Sequence, residues 1–170
     1  INDVINPCLS SSQVLSKKDT VVIIAGTNDV ANNEAQTTLN TLRTSLPRLT
    51  HTNVVVATIP RRHDLASFSC VNKEIEKTNK SLLRLCKHFQ NVKILDMFNL
   101  PREYYTGHGM HLKDLGKDFV SKKLIEIIGK DDLDTRSIPL PFHVSKNESE
   151  TNNMEGTCFF VPGQNQSVPV

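Results

Sequence analysis

Apolar residues fall into short groups with different periods along this chain. Thr20-Val-Val-Ile-Ile-Ala25 is an unbroken, β-branched run of the kind found in strands buried on both faces. The turn formers Gly26-Thr27-Asn28-Asp29 end it. Ala35, Leu39, Leu42 and Leu46 then recur at helical spacing until Pro47 closes the helix. Asn53–Ile59 is a second buried-type strand, stopped by Pro60, and Arg61–Cys70 reads as a loop. From Val71 the apolar positions 71, 75, 82, 85, 86 and 89 make a helical stripe with charges opposite. Asn91–Phe98 is a third strand. After a loop through Pro101 and Gly109, a last helix carries Leu112, Leu115, Phe119, Val120, Leu124, Ile127 and Ile128, with Gly129 as its terminator.

The order β-α-β-α-β-loop-α predicts an α/β fold whose parallel strands are joined by right-handed crossovers. Residues 17–130 form the patterned domain. Residues 1–16 read as a polar lead-in without helix or strand pattern. Residues 131–170, rich in Asp, Ser, Asn, Pro and Gly, read as a disordered tail. No internal repeat is visible.

Composition narrows the classes. A chain of 170 residues is one ordinary domain. Its 20 Lys+Arg against 18 Asp+Glu give a net charge of +2, short of the basic excess of a dedicated nucleic-acid-binding domain. The clusters Arg61-Arg62-His63 and Lys122-Lys123 read as solvated faces, so nucleic acid is not an expected partner. No apolar run approaches the ~20 residues of a membrane span. Cys8, Cys70, Cys86 and Cys158 lie far apart without a C-x-x-C pair, and read as reduced thiols with Cys86 in the core. The N-x-S triplets at Asn79, Asn147 and Asn165 have no secretory context around them, so a reducing, cytoplasmic compartment is the default.

In open α/β sheets ligands bind at the carboxyl ends of the strands. Gly26-Thr27-Asn28-Asp29 and Thr106-Gly107-His108-Gly109-Met110-His111 both follow strands at that edge. An Asn amide on a rigid turn can donate to a developing oxyanion, and a neighbouring His can act as general base. Taken alone, the first group is equally a turn and helix cap, and His111 a surface imidazole. His51, His63, His88 and His143 have no constellation around them and read as solvated. His108 and His111, three apart, lack a third metal ligand at suitable spacing, so no metal is expected.

Val21-Val-Ile-Ile-Ala-Gly26-Thr27-Asn28-Asp29 resembles the G-x-N-D block of the SGNH hydrolases, the GDSL-type esterases and lipases. His111, followed by Leu112-Lys-Asp-Leu-Gly116-Lys117 and an amphipathic helix, resembles the block in which their catalytic His precedes the final helix. The stretch Tyr105–Lys117 is most similar to members encoded in animal retroelements. The resemblance implies a flavodoxin-like three-layer α/β/α fold and hydrolysis of a small carboxylic ester by a Ser nucleophile, without metal or organic cofactor. It assigns His111 as general base and Asn28 as oxyanion donor; Gly26 shapes the turn, and Asp29 braces the loop or caps the next helix.

Two departures shape the expectation. No Gly-Asp-Ser occurs, and Ser10-Ser11-Ser12 follows Asn6-Pro7-Cys8-Leu9 rather than a strand. The chain is therefore expected to start after the first two strands of the domain, leaving an open sheet edge at Val21–Ala25 or Val54–Ala57 and, alone, no activity. His108 stands three residues before His111, where the family has the Asp that orients the imidazole. Either another acceptor such as Asp114 takes that place, or the protein is a non-catalytic SGNH-like interaction module. The hydrolase reading requires Asn28 and His111 to converge on one rim.

Overall fold

The computed structural model describes residues 1–129 and 157–162. In chain order the elements are α1 (Asn2–Ser11), β1 (Thr20–Ile24), α2 (Thr27–Ala31), α3 (Ala35–Ser45), β2 (Asn53–Ala57), α4 (Cys70–Cys86), β3 (Val92–Leu95), α5 (Asp114–Gly129) and β4 (Thr157–Val161). The strands form one sheet in the order β3-β2-β1-β4. β1, β2 and β3 run parallel, as the β-α-β-α-β order predicts.

Alternation along the strands divides the core. Val21, Ile23, Val54 and Val56 face a layer built from α1, α3 and α4, while Val22, Val55, Ala57 and Leu95 face α5. The sheet steps in one direction from β1 to β2 to β3, so crossovers of constant hand put α3 and α4 on the same side. The result is a three-layer α/β/α fold. The apolar ends of the predicted strands, Ile59 and Phe98, leave the ladder and pack with Val30, Ala35 and Ile75 at the carboxyl edge.

Both flanking expectations need correction. Residues 1–16 are not a featureless lead-in. α1 lays Ile5, Cys8 and Leu9 into the core, with Ile1 packed beside them. A short 3-10 turn follows, whose Ser12 carbonyl lies 2.9 Å from Nε2 of His51, which is otherwise exposed as expected. Nor are residues 157–161 a disordered tail. β4 pairs antiparallel with β1, Phe159 opposite Val22 and Cys158 opposite Ile23. Cys158 and Phe160 join the α1 side of the core, Phe159 and Val161 the α5 side. The β1 edge expected to be open is thereby covered. Residues 130–156 and 163–170, the rest of the expected tail, and His143 with it, lie outside the described residues.

Beyond β2 the backbone leaves the sheet, and side-chain amides from α4 take over its pairing. Asn79, 4% exposed, accepts from Ile59 N–H at 2.8 Å and donates to Ile59 C=O at 2.9 Å. Two turns earlier Asn72 accepts from Arg62 N–H and donates to the Arg62 and Ala66 carbonyls. Thr58 Oγ1 accepts from Met97 and Phe98 N–H and donates to Asp96, joining the ends of β2 and β3. Asn79→Ala strands two buried backbone groups, each costing about 1–3 kcal/mol when unpaired. The expected outcome is a lowered urea midpoint with an unchanged slope, while Lys77→Ala on the exposed face of α4 stays within about 0.5 kcal/mol.

Candidate functional site

The site begins with a backbone requirement. To turn from β1 into α2 the chain passes through Gly26 at φ +105°, where an L side chain is strained. A Cβ there would also stand 3.0 Å from Ile59 Cδ1 and 3.1 Å from Thr38 Cγ2. Gly26 therefore shapes the turn that presents Asn28 and Asp29. Gly26 C=O accepts from Val30 N–H and Asn28 C=O from Asn32 N–H, closing the turn into α2.

This turn lines a groove of about 490 Å³ at the carboxyl edge of the sheet. Asn28, Asp29, Asn32 and Glu34 line one side of it, and Thr58 and Met97 come from the ends of β2 and β3. Asp29 takes both carboxylate contacts, at 3.0 and 3.1 Å, from the α-amino group of Ile1. It ties the turn to the start of α1; no side chain caps α2. Among the described residues that line the groove, none is Lys, Arg or His.

The loop carrying His108 and His111 is a separate, well-held body. Tyr105 and Leu112 bridge its ends, Thr106 N–H donates to His111 C=O at 2.8 Å, and Gly109 N–H donates to Thr106 C=O. Arg102 donates to the Thr106 and Gly107 carbonyls from below. At its tip Gly109, φ +82°, accepts from His63 N–H at 3.1 Å, and a Cβ there would come within 2.7 Å of the His63–Asp64 backbone. The loop is thus docked on the segment that follows β2, at the same edge as Asn28.

The structure brings Gly26, Asn28 and Asp29 together at the groove. His108 and His111 are exposed and are not part of its lining. No described residue hydrogen-bonds to the His111 ring; Asp114, the alternative acceptor, pairs with Lys117 at 3.1 Å.

Sequence reasoning missed the residues that hold this rim. His63, read as solvated, packs tilted against the Tyr105 ring at 4.6 Å and reaches the Leu100 carbonyl. Arg61 lies over the Phe98 ring at 4.8 Å, and Arg62 grips Asp64 through two nitrogens at 2.7 and 2.6 Å. Arg61-Arg62-His63 is thus engaged by neighbouring side chains at a half-buried surface rather than left free in solvent. Its only sequence signal was a dense run of polar residues in a loop between two regular elements. Burial pushes the Tyr105 phenol up to about 12, and its hydroxyl has no partner among the described residues.

No protein-family model and no curated protein matches the chain. A solved structure does. It is a Streptococcus pneumonia protein provisionally named a platelet activating factor, matched with a TM-score of 0.54 at 20% identity. The match covers 65% of this chain and 59% of that one, so the likeness is one of fold. Among the described residues no helix is long and apolar enough to cross a membrane, and no three His, Cys, Asp or Glu side chains gather as a metal site.

Gly109→Ala introduces both a positive-φ side chain and a backbone clash, and should release the His loop. Amide exchange of His63 and of residues 105–112 should accelerate, while the protection of β1 and β2 stays unchanged. The Arg62 fork holds the Asp64 carboxyl below its ordinary range. A carboxyl depressed on folding stabilises fully above its unfolded value and loses that contribution as pH falls through the folded one. Protection of the His63 amide should therefore fall on acidification below the ordinary carboxylate range, and this acid step should vanish in Asp64→Asn.

Proposed function

We propose that the chain carries the oxyanion-donor and base-loop portion of an SGNH-type serine esterase, with a small, neutral carboxylic ester as substrate. The observation that carries this reading is the turn at Gly26, which sets Asn28 in a groove at the carboxyl edge of a parallel sheet. In this reading the Asn28 amide donates to the oxyanion of the tetrahedral intermediate. His111, on a loop docked at the same edge, takes the proton of a serine hydroxyl and returns it to the leaving alcohol. The serine belongs to a Gly-Asp-Ser segment that this chain does not contain. The fold likeness to a protein named for platelet activating factor agrees with a hydrolase but carries no residue role.

A second reading is supported by His108 and by the exposed ring of His111. Without a carboxylate partner an imidazolium gains no charge stabilisation, as suits a non-catalytic interaction module.

Joining the chain to an upstream segment whose strand ends in Gly-Asp-Ser and takes the β1 edge from β4 should yield hydrolysis of a short-chain aryl ester. In that protein Asn28→Ala should lower kcat by about 10²–10³-fold, as loss of an oxyanion donor does. His111→Ala should lower it by about 10⁴-fold or more. A well-folded joined protein without turnover, or turnover indifferent to His111→Ala, decides for the module.

A further inference from the structure

The four cysteines are not equivalent once the chain is folded. Cys8, on α1, is 3% exposed in the core, and Cys158, on β4, packs against the same apolar cluster, where α1 and β4 touch, from a position 150 residues away in sequence. Both are reduced. Their surroundings are apolar: Ile23 is the strand partner of Cys158, and Phe160 lies on the same face of β4. Cys86 is also buried but is pushed up to about 11 by desolvation, and Cys70 sits exposed at the start of α4.

We propose that Cys8 and Cys158 are a redox pair, oxidised by a small disulfide of the glutathione type to a cystine that staples β4 to α1. Among the described strands β4 lies at an edge of the sheet, hydrogen-bonded to β1 alone, so it opens more readily than the central β1 and β2. Loosening of its free edge admits the oxidant while Cys158 stays beside Cys8. The Cys8 thiolate attacks one sulfur of the small disulfide, breaking the S–S bond and releasing one thiol, which takes up a proton. Cys158 then gives its proton to solvent and its sulfur displaces the second small thiol from the mixed disulfide. Two protein thiols are oxidised and one small disulfide becomes two thiols.

The order of attack follows from the contact between the two sulfurs. A hydrogen bond from Cys158 draws the Cys8 thiol below its usual range, outweighing desolvation, whereas the same contact and burial push Cys158 up. Cys8 is the nucleophile and Cys158 the resolving thiol. In a reducing medium the cover on the β1 edge can open; after oxidation it is locked.

The full chain, native and as Cys70→Ser, would be equilibrated in buffers of rising glutathione disulfide to glutathione ratio, alkylated, digested and mapped by mass. The expected product is a Cys8–Cys158 linked peptide lighter by two hydrogens, reversed by dithiothreitol. Amide exchange at residues 157–161 should slow by about tenfold or more on oxidation. Cys158→Ser should leave Cys8 only as a glutathione adduct, with no slowing of that exchange. The proposal is overturned if both thiols stay reduced, or carry only separate adducts, while circular dichroism reports the native fold. It is overturned equally if the link forms only in denaturant, or if oxidation slows exchange as much in Cys158→Ser.

Discussion

A strand buried on both faces must be hydrogen-bonded along both edges, and at β1 this requirement organises the protein. Val21 and Val22 are 0% exposed, so water cannot reach the backbone groups between them. An unpaired group there costs about 1–3 kcal/mol, a large part of the stability of a domain. β2 satisfies one edge through parallel pairing and β4 the other through antiparallel pairing. A parallel partner needs a long crossover, whereas an antiparallel one can come from any segment that reaches the edge. α1 belongs to the same solution. It packs on the face to which Cys158 and Phe160 point, so the two ends of the described chain meet over one strand.

At the carboxyl edge the same demand is met by side chains. Where β2 and β3 stop, Asn79, Asn72 and Thr58 take up backbone groups that no further strand pairs. The chain of contacts continues outward, since Asn72 holds Arg62, His63 N–H holds Gly109, and Gly109 holds the His loop. Position at the rim is thus inherited from α4 as much as from the sheet. Such a rim can present polar groups to a ligand without first having to order itself.

The three parallel strands and the helices α3 to α5 were legible because each buries a face wide enough to impose its period. α1 was missed although Ile1, Val4, Ile5, Cys8 and Leu9 fall at helical spacing, because the Asn, Asp and Ser residues between them make the segment polar overall. β4 was missed for a different reason. Five residues among polar neighbours carry too little pattern, and what makes them a strand is the need of β1 for a partner. At the site, Gly26-x-Asn28-Asp29 was legible since its turn chemistry is local. The docking of Gly109 on His63 was not, because only the fold brings those two residues together.

The charge on the groove bears on what it can hold. Asp3, Asp29 and Glu34 line it. With no Lys, Arg or His among the described lining residues, an anionic ligand would meet carboxylates rather than cations. Two like charges about 4 Å apart repel by roughly 1–4 kcal/mol between the dielectric of water and that of a protein surface. A neutral ester escapes that penalty; the carboxylate formed by its hydrolysis does not. Under the esterase reading, the groove would accept substrate and expel product by the same electrostatics. Asn28, a neutral donor, is the kind of group that can stabilise a transient oxyanion there without also retaining the anionic product.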